Sequence, residues 1–196
     1  LFSNGDYIAA EDGYTNVIAS PKNERFIEKA LMKRGWSRFK SDYYHEAIDD
    51  FINAIAYHGF DNEENLSGGE KDIFNEYFRA IALSFIYIED FDQITQYFEE
   101  QPAFEHIYTI YNSISDIYLK QDPYFDSANA MLHFAENNPE SIHMPSSQIK
   151  VIESWRKAGL TQQIYEAIET FYTSYHPGSR YWHTQENKNH QKSALN

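Results

Sequence analysis

The chain has 196 residues, of which 42% are hydrophobic and 17% aromatic, so it can fill a sizeable core and lacks the composition of a disordered protein. Its formal net charge of −14 argues against nonspecific binding to nucleic acid or anionic membranes, because both require a basic surface. The absence of Cys excludes disulfides, Cys-based zinc sites and thiol catalysis. No apolar run is long enough to predict insertion into a membrane.

Helical periodicity of the apolar residues dominates the chain, and no convincing alternating strand interrupts it. Residues 24–40 and 44–57 form the first clear pair of helices. Ser41 and Asp42 separate these two segments, and both are residue types that favour the N-cap of a helix. Similar signals predict further helix starts at Ser20–Pro21, Ser67, Pro102 and Asp122–Pro123.

An internal repeat relates the beginning of the chain to its first helix pair. Residues 4–18 match residues 41–55 position for position. The match pairs Tyr7 with Tyr44, Ala10 with Ala47, and Tyr14 with Phe51. Because the chain opens inside such a unit, we expect it to be a piece of a longer repeat protein.

Small and aromatic residues in the stretch Arg34–Ile55 follow the spacing of the tetratricopeptide repeat, a helical hairpin of about 34 residues. The residues that show this resemblance are Gly35, Tyr44, Ala47, Phe51 and Ala54. The resemblance implies an all-α fold, a right-handed α-solenoid of stacked antiparallel helical hairpins. The chain departs from the repeat pattern at Leu31, where Trp is usual, and at Arg38, where an aromatic is usual. A later repeat, at 108–139, has Ser115 at the small position of its first helix.

The repeat pattern predicts a domain from 1 to 175, followed by a polar tail. Its parts are a partial repeat at 1–20, repeats at about 23–57, 70–101, 104–139 and 147–175, and an acidic insert at 58–70. The tail, 176–196, is polar and aperiodic, and we expect it to be disordered.

Two short motifs in the acidic insert resemble ligand-binding sequences without completing them. Leu66–Glu70 is similar to the signature of ATP-binding cassette proteins, but the chain has no phosphate-binding loop to accompany it. Asp61–Asp72 has the length of an EF-hand loop, but Leu66 stands where Gly is needed and Asp72 where a bidentate Glu is needed. We therefore predict a plain loop, with Ser67 capping the next helix, and no metal, cofactor or catalytic residue.

In the tetratricopeptide family, the first helix of each hairpin lines the concave groove of the solenoid. Mapping repeat positions onto this chain predicts a partner-binding groove that holds five of the 16 basic residues. The predicted groove residues are Lys29, Lys33, Trp36, Lys40, Arg79, Leu83, Tyr87, Asn112, Asp116 and Lys120. Such a surface favours an acidic or C-terminal peptide segment. Met32 and Trp36 occupy positions that the family's two-carboxylate clamp requires as Lys and Asn, so we expect no such clamp.

The segments Gly35–Lys40 and Ala82–Phe91 are similar to those of bacterial envelope proteins with tetratricopeptide repeats. These proteins relate loosely to the repeat lipoprotein of outer-membrane β-barrel assembly and to the Tol-Pal-associated repeat protein. The expected function is a non-catalytic protein–protein interaction scaffold in a bacterial envelope complex, at the periplasm or outer-membrane periphery rather than in the cytoplasm. The alternatives are a structural spacer of a longer repeat protein and an accessory domain of an enzyme. Self-association also stays open as a mode of partner binding.

Overall fold

The computed structural model describes residues 1–60, 65–101 and 104–185, and over these ranges every regular element is a helix. The predicted all-α class is confirmed. The α-helices are α1 (Tyr7–Ala19), α2 (Ile27–Lys40), α3 (Tyr44–His58), α4 (Gly68–Ile88), α5 (Asp92–Glu99), α6 (Ile107–Gln121), α7 (Tyr124–Asn137), α8 (Met144–Ala158) and α9 (Thr161–Tyr175). Short 3-10 helices precede α1 and α2, at Phe2–Asn4 and Pro21–Phe26.

The chain divides into two compact units. The first is Leu1–Glu105 and contains α1 to α5, and the second begins at His106 and contains α6 to α9. Within each unit, helices that follow one another in the chain pack against each other. This succession is compatible with a helical repeat.

In the first unit, α2 and α3 approach closely because small residues lie between them. Ala47 and Ala54 of α3 are fully buried. A Cβ atom added to Gly35 of α2 would lie only 2.5 Å from Cε1 of Phe51, whose side chain is also fully buried. Two of the repeat positions identified in the sequence, Gly35 and Phe51, are therefore in close contact between α2 and α3, and the two alanines are buried.

Arg38, which replaces an aromatic residue of the repeat pattern, belongs to a buried ionic network. Asp50 is 1% exposed and forms ion pairs with two arginines. Its carboxylate oxygens lie 2.6 Å from Nη2 of Arg34 and 3.0 Å from Nη1 of Arg38. Arg38 also reaches Glu11 on α1, with Nε 2.8 Å from Oε1. The network ties α1, α2 and α3 together, because a buried carboxylate needs cationic partners to offset its lost hydration.

The predicted N-caps are partly wrong. Ser67 does cap α4, because its hydroxyl accepts from the Glu70 amide while the Glu70 side chain accepts from the Ser67 amide. Asp42 and Asp122, in contrast, lie just before the cap residue and adopt positive φ angles of 64° and 75°. Ser41 follows the end of α2 and does not cap α3. Ser20 precedes the 3-10 helix at Pro21, but its side chain makes no capping hydrogen bond.

Each of the two left-handed aspartates accepts a hydrogen bond from the tyrosine two residues later. The Tyr44 hydroxyl donates to Asp42 at 2.7 Å, and the Tyr124 hydroxyl donates to Asp122 at 2.5 Å. Asp tolerates the left-handed conformation better than most residues, so these positions turn the chain between helices.

In the second unit, buried serines join three helices at positions where small residues are expected. Ser115 on α6, Ser127 on α7 and Ser154 on α8 are fully buried. Their hydroxyls form a chain with Oγ–Oγ distances of 2.7 Å and 2.9 Å. Serine is small enough for the close approach, and the hydrogen-bonded chain satisfies its hydroxyl inside the unit.

The first part of the predicted tail, 176–185, lies within the described residues. Residues 180–185 are helical. Tyr181 donates to the Ser141 carbonyl, and Gln185 donates to the Glu140 carbonyl, each at 2.9 Å. These hydrogen bonds attach the segment to the connection between α7 and α8, although its sequence has no apolar periodicity. Residues 186–196, Pro102 and residues 61–64 of the acidic insert lie outside the described residues.

Candidate functional site

Four of the predicted groove residues lie on one side of α2. Lys29, Lys33, Trp36 and Lys40 are separated by four, three and four residues, which returns each to the same helix face. The three lysines are exposed, and none of them forms an ion pair with another described residue. The face therefore presents uncompensated positive charge on a chain of net charge −14.

Trp36 is half-buried and packs inside the first helix pair. Its ring centroid lies 5.4 Å from that of Phe39 and 5.4 Å from that of Phe51, both in edge-to-face geometry. Such contacts stabilise the pair of helices beyond the area they bury. A substitution of Trp36 would therefore alter the fold as well as the surface.

One of the predicted residues of α4, Tyr87, contacts the end of α2. Arg79 is exposed, Leu83 is half-buried, and Tyr87 is 56% exposed. The Tyr87 ring centroid lies 5.2 Å from that of Phe39, near the end of α2. The contact brings the ends of α2 and α4 together. We call the surface formed by Lys29, Lys33, Lys40, Arg79 and Tyr87 the basic face.

The three remaining predicted residues lie on α6, in the second unit. Asn112 donates to Asp116 at 3.2 Å, and Lys120 is exposed. Asp116 also forms an ion pair with Lys150 of α8, at 2.7 Å. Sequence reasoning missed Lys150, because the register between α6 and α8 depends on tertiary packing. Asp116 is therefore already paired within its own unit.

A pocket of about 450 Å³ opens between α1 and α2, next to the predicted lysines. It is lined by Tyr14 and Val17 of α1, Phe26 of the 3-10 helix, and Lys29, Ala30 and Lys33 of α2. Its volume lies in the range of about 300–1,000 Å³ that is typical of ligand-binding clefts. Sequence reasoning identified the two lysines but not the pocket, because its walls come from helices whose relative placement no local pattern encodes.

A polar cluster of Glu28, His58 and Tyr77 joins α2, α3 and α4. Nδ1 of His58 lies 2.8 Å from Oε1 of Glu28, and the Tyr77 hydroxyl donates to the same oxygen. His58 also stacks on Phe60, with ring centroids 4.0 Å apart. Burial, together with the hydrogen bond to Glu28, raises the pKa of Tyr77 above its usual value. The cluster links three helices and lies at the start of the acidic insert.

The described part of the chain contains no group of three or more His, Asp or Glu side chains that could hold a metal ion. None of its helices has the length and apolar character needed to cross a bilayer.

Neither models of known protein families nor curated proteins match this chain. The resemblance to the tetratricopeptide repeat therefore rests on the residue pattern around Gly35 and Phe51 and on the succession of helices. The basic face and the pocket beside it are the features of the described residues with the chemistry of a binding site.

Proposed function

We propose that this chain is a non-catalytic protein–protein interaction scaffold of the tetratricopeptide type, a right-handed solenoid of antiparallel helical hairpins. The observation that supports the proposal most is the basic face of the first unit. Its four cations, Lys29, Lys33, Lys40 and Arg79, form no ion pair with another described residue. Tyr87, which is 56% exposed, adds an aromatic ring near the end of α2 on a chain of net charge −14.

The chemistry of this face suits an acidic segment of a protein partner. Cations clustered on a protein of opposite net charge focus the local field, so they accelerate the encounter with an acidic partner and suppress the approach of basic ones. The Tyr87 ring supplies a rigid contact area with an apolar body and a polar tip, and such residues are enriched among binding hot spots. Nucleic acid is disfavoured as a partner, because the rest of the surface would repel its phosphates.

A second candidate function, a structural module that stacks on neighbouring repeats, is favoured by one observation on α9. Tyr165, Ile168 and Tyr172 follow one another at helical spacing and are 70%, 44% and 70% exposed. A stripe of this kind is covered by the next helix in a repeat array. Self-association could cover it in the same way.

On the resemblance alone, we further propose that the scaffold works in a bacterial envelope complex, at the periplasm or the outer-membrane periphery. Fractionation of the native cells with an antibody against this chain tests the compartment. Recovery in the cytoplasmic fraction only would exclude an envelope role.

Affinity capture from the native cell lysate tests the scaffold function. The test variant is Lys40→Glu/Arg79→Glu, which reverses two charges of the basic face outside the pocket. The matched control is Lys71→Glu/Lys157→Glu, which makes the same change of net charge at two exposed lysines elsewhere. We expect the control to retain partners that the test variant loses. If both variants retain every partner, the basic face is not the binding surface.

A further inference from the structure

We infer that Trp36, Lys40 and Tyr87 form a subsite that binds a carboxylate side chain of the acidic partner segment. This inference rests on the proposed function, because it names the groups that recognise the segment. The three side chains meet near the ends of α2 and α4, and two of them carry hydrogen-bond donors that the described part of the chain leaves unused.

All three side chains lie around the ring of Phe39, which is 8% exposed. The ring centroids of Trp36 and Tyr87 lie 5.4 Å and 5.2 Å from the Phe39 centroid. Nζ of Lys40 lies 5.9 Å from the same centroid. Because one buried ring is the common neighbour, an indole, an ammonium group and a phenol ring are gathered at one place on the surface.

The two donors of this subsite have no acceptor among the described residues. The indole nitrogen of Trp36 donates to none of them and is accessible to solvent. Lys40 is exposed and forms no ion pair with any of them. The nearest acid along the chain, Asp42, already accepts a hydrogen bond from the Tyr44 hydroxyl at 2.7 Å.

A carboxylate side chain has the chemistry that these donors select. An indole N–H and an ammonium group can only donate, and an ionised carboxylate can only accept. Hydrogen bonds to an ionised acceptor are also about twice as strong as neutral ones. The Tyr87 ring, which is 56% exposed, offers an apolar surface to the methylene groups of a bound Glu. The subsite places one carboxylate, so it admits a helical or an extended segment.

Nuclear magnetic resonance of the indole N–H groups tests the inference on the wild-type chain. The chain has three tryptophans, Trp36, Trp155 and Trp182, and Nε1 of Trp182 donates to the Tyr175 carbonyl. The probe is a hexaglutamate peptide with both ends blocked, added to the ¹⁵N-labelled protein at low salt. We expect the Trp36 indole proton to move downfield, because it gains an acceptor, while the other two indole resonances stay in place.

Control ligands separate the possible sources of the acceptor. Blocked hexaglutamine has the same length without the charge and should leave the Trp36 resonance in place. Hexaglutamine with a free C-terminal carboxylate tests a chain end, and inorganic phosphate tests a small anion. An equal shift with either of these two ligands would overturn the inference. A Trp36 resonance that stays in place in excess hexaglutamate, or equal shifts of all three indoles, would overturn it as well.

Two variants measure the contribution of each donor. Trp36→Phe keeps a ring against Phe39 but removes the N–H, and it should weaken hexaglutamate binding about tenfold, as expected for a hydrogen bond to a charged group. Lys40→Glu should weaken binding by about tenfold or more, because attraction becomes repulsion. Trp182→Phe and Lys157→Glu are the matched controls in the second unit and should bind as the wild type does.

Titrations followed by the backbone amides of α2 give the affinities, and circular dichroism melts show whether each variant is folded. A folded Trp36→Phe variant that binds hexaglutamate as tightly as the wild type would overturn the inference. If that variant does not fold, the indole resonances of the wild type still decide the question.

The proposed function and this inference fail separately. If captured partners depend on Lys40 and Arg79 but bind Trp36→Phe as tightly as the wild type, the scaffold function stands and the subsite is wrong. If no captured partner depends on any of these three residues and hexaglutamate leaves the Trp36 resonance in place, both are wrong.

Discussion

Gly35→Ala probes the contact that brings α2 and α3 together. The new Cβ would lie 2.5, 2.8 and 3.0 Å from three ring atoms of Phe51. Ordinary contact would require the ring to retreat by about 1 Å. Phe51 is fully buried and packs edge to face against Trp36, so the ring has little room to move.

Two opposing effects set the magnitude of the change. In an exposed helix interior, replacing Gly by Ala stabilises a protein by about 0.5–1 kcal/mol, because it restricts the unfolded chain. Inserting a methyl group into a filled core costs about 1–3 kcal/mol in displaced side chains and backbone. We expect the second effect to win at Gly35, so the free energy of unfolding should fall by up to about 2 kcal/mol.

Gly13→Ala is the matched control, since it makes the same substitution inside α1. There the new Cβ would meet only Cδ1 of Leu1, at 4.0 Å. We expect this variant to gain up to about 1 kcal/mol. Urea denaturation followed by far-UV circular dichroism measures both variants, and Phe51→Leu should partly rescue Gly35→Ala. If Gly35→Ala stabilises the protein as much as Gly13→Ala does, the close approach of α2 and α3 is wrong.

Three further changes test other contacts. Asp50→Ala leaves Arg34 without its buried partner and should lower the free energy of unfolding in urea by about 3 kcal/mol; a loss below about 1 kcal/mol would mean that the network contributes little. Ser127→Ala breaks the serine chain of the second unit and should cost about 1 kcal/mol in the same assay, and a neutral result would show that the chain is dispensable. A hydrogen bond to Asp42 raises the pKa of Tyr44 to about 12, and burial raises the pKa of Tyr181 to about 12. Tyrosine ionises near pH 10 in the unfolded chain, so the stabilisation that these two tyrosines give to the folded state is complete below pH 10 and is lost toward pH 12. A free energy of unfolding that stays constant between pH 10 and pH 12 would contradict these raised pKa values.

The close contacts of the first helix pair could be predicted from the sequence because they join helices that are neighbours in the chain. Gly35, Ala47 and Phe51 repeat with a spacing that places them between two such helices. The same pattern located the departure at Arg38 and the serine at the small position 115, but it did not show what their polar groups contact. Their explanation needed Asp50, Ser127 and Ser154, which approach only once the helices have packed.

The turn conformations and the pocket could not be predicted from local sequence patterns. Asp42 fits an N-cap by residue type, but its backbone conformation depends on how the chain must reverse before α3, and Tyr44 then uses its carboxylate as an acceptor. The pocket needs Val17 and Phe26 next to Lys29, which is a relation among three elements. Periodicity along one helix contains no information about that relation.

Hydrogen–deuterium exchange of the full chain, with and without its captured partner, tests the central claim most directly. If the basic face binds the partner, exchange should slow within α2 and α4, at Ile27–Lys40 and Gly68–Ile88, and stay unchanged in α8 and α9. Protection confined to α8 and α9 would contradict the claim, because the exposed stripe of α9 would then be the binding surface.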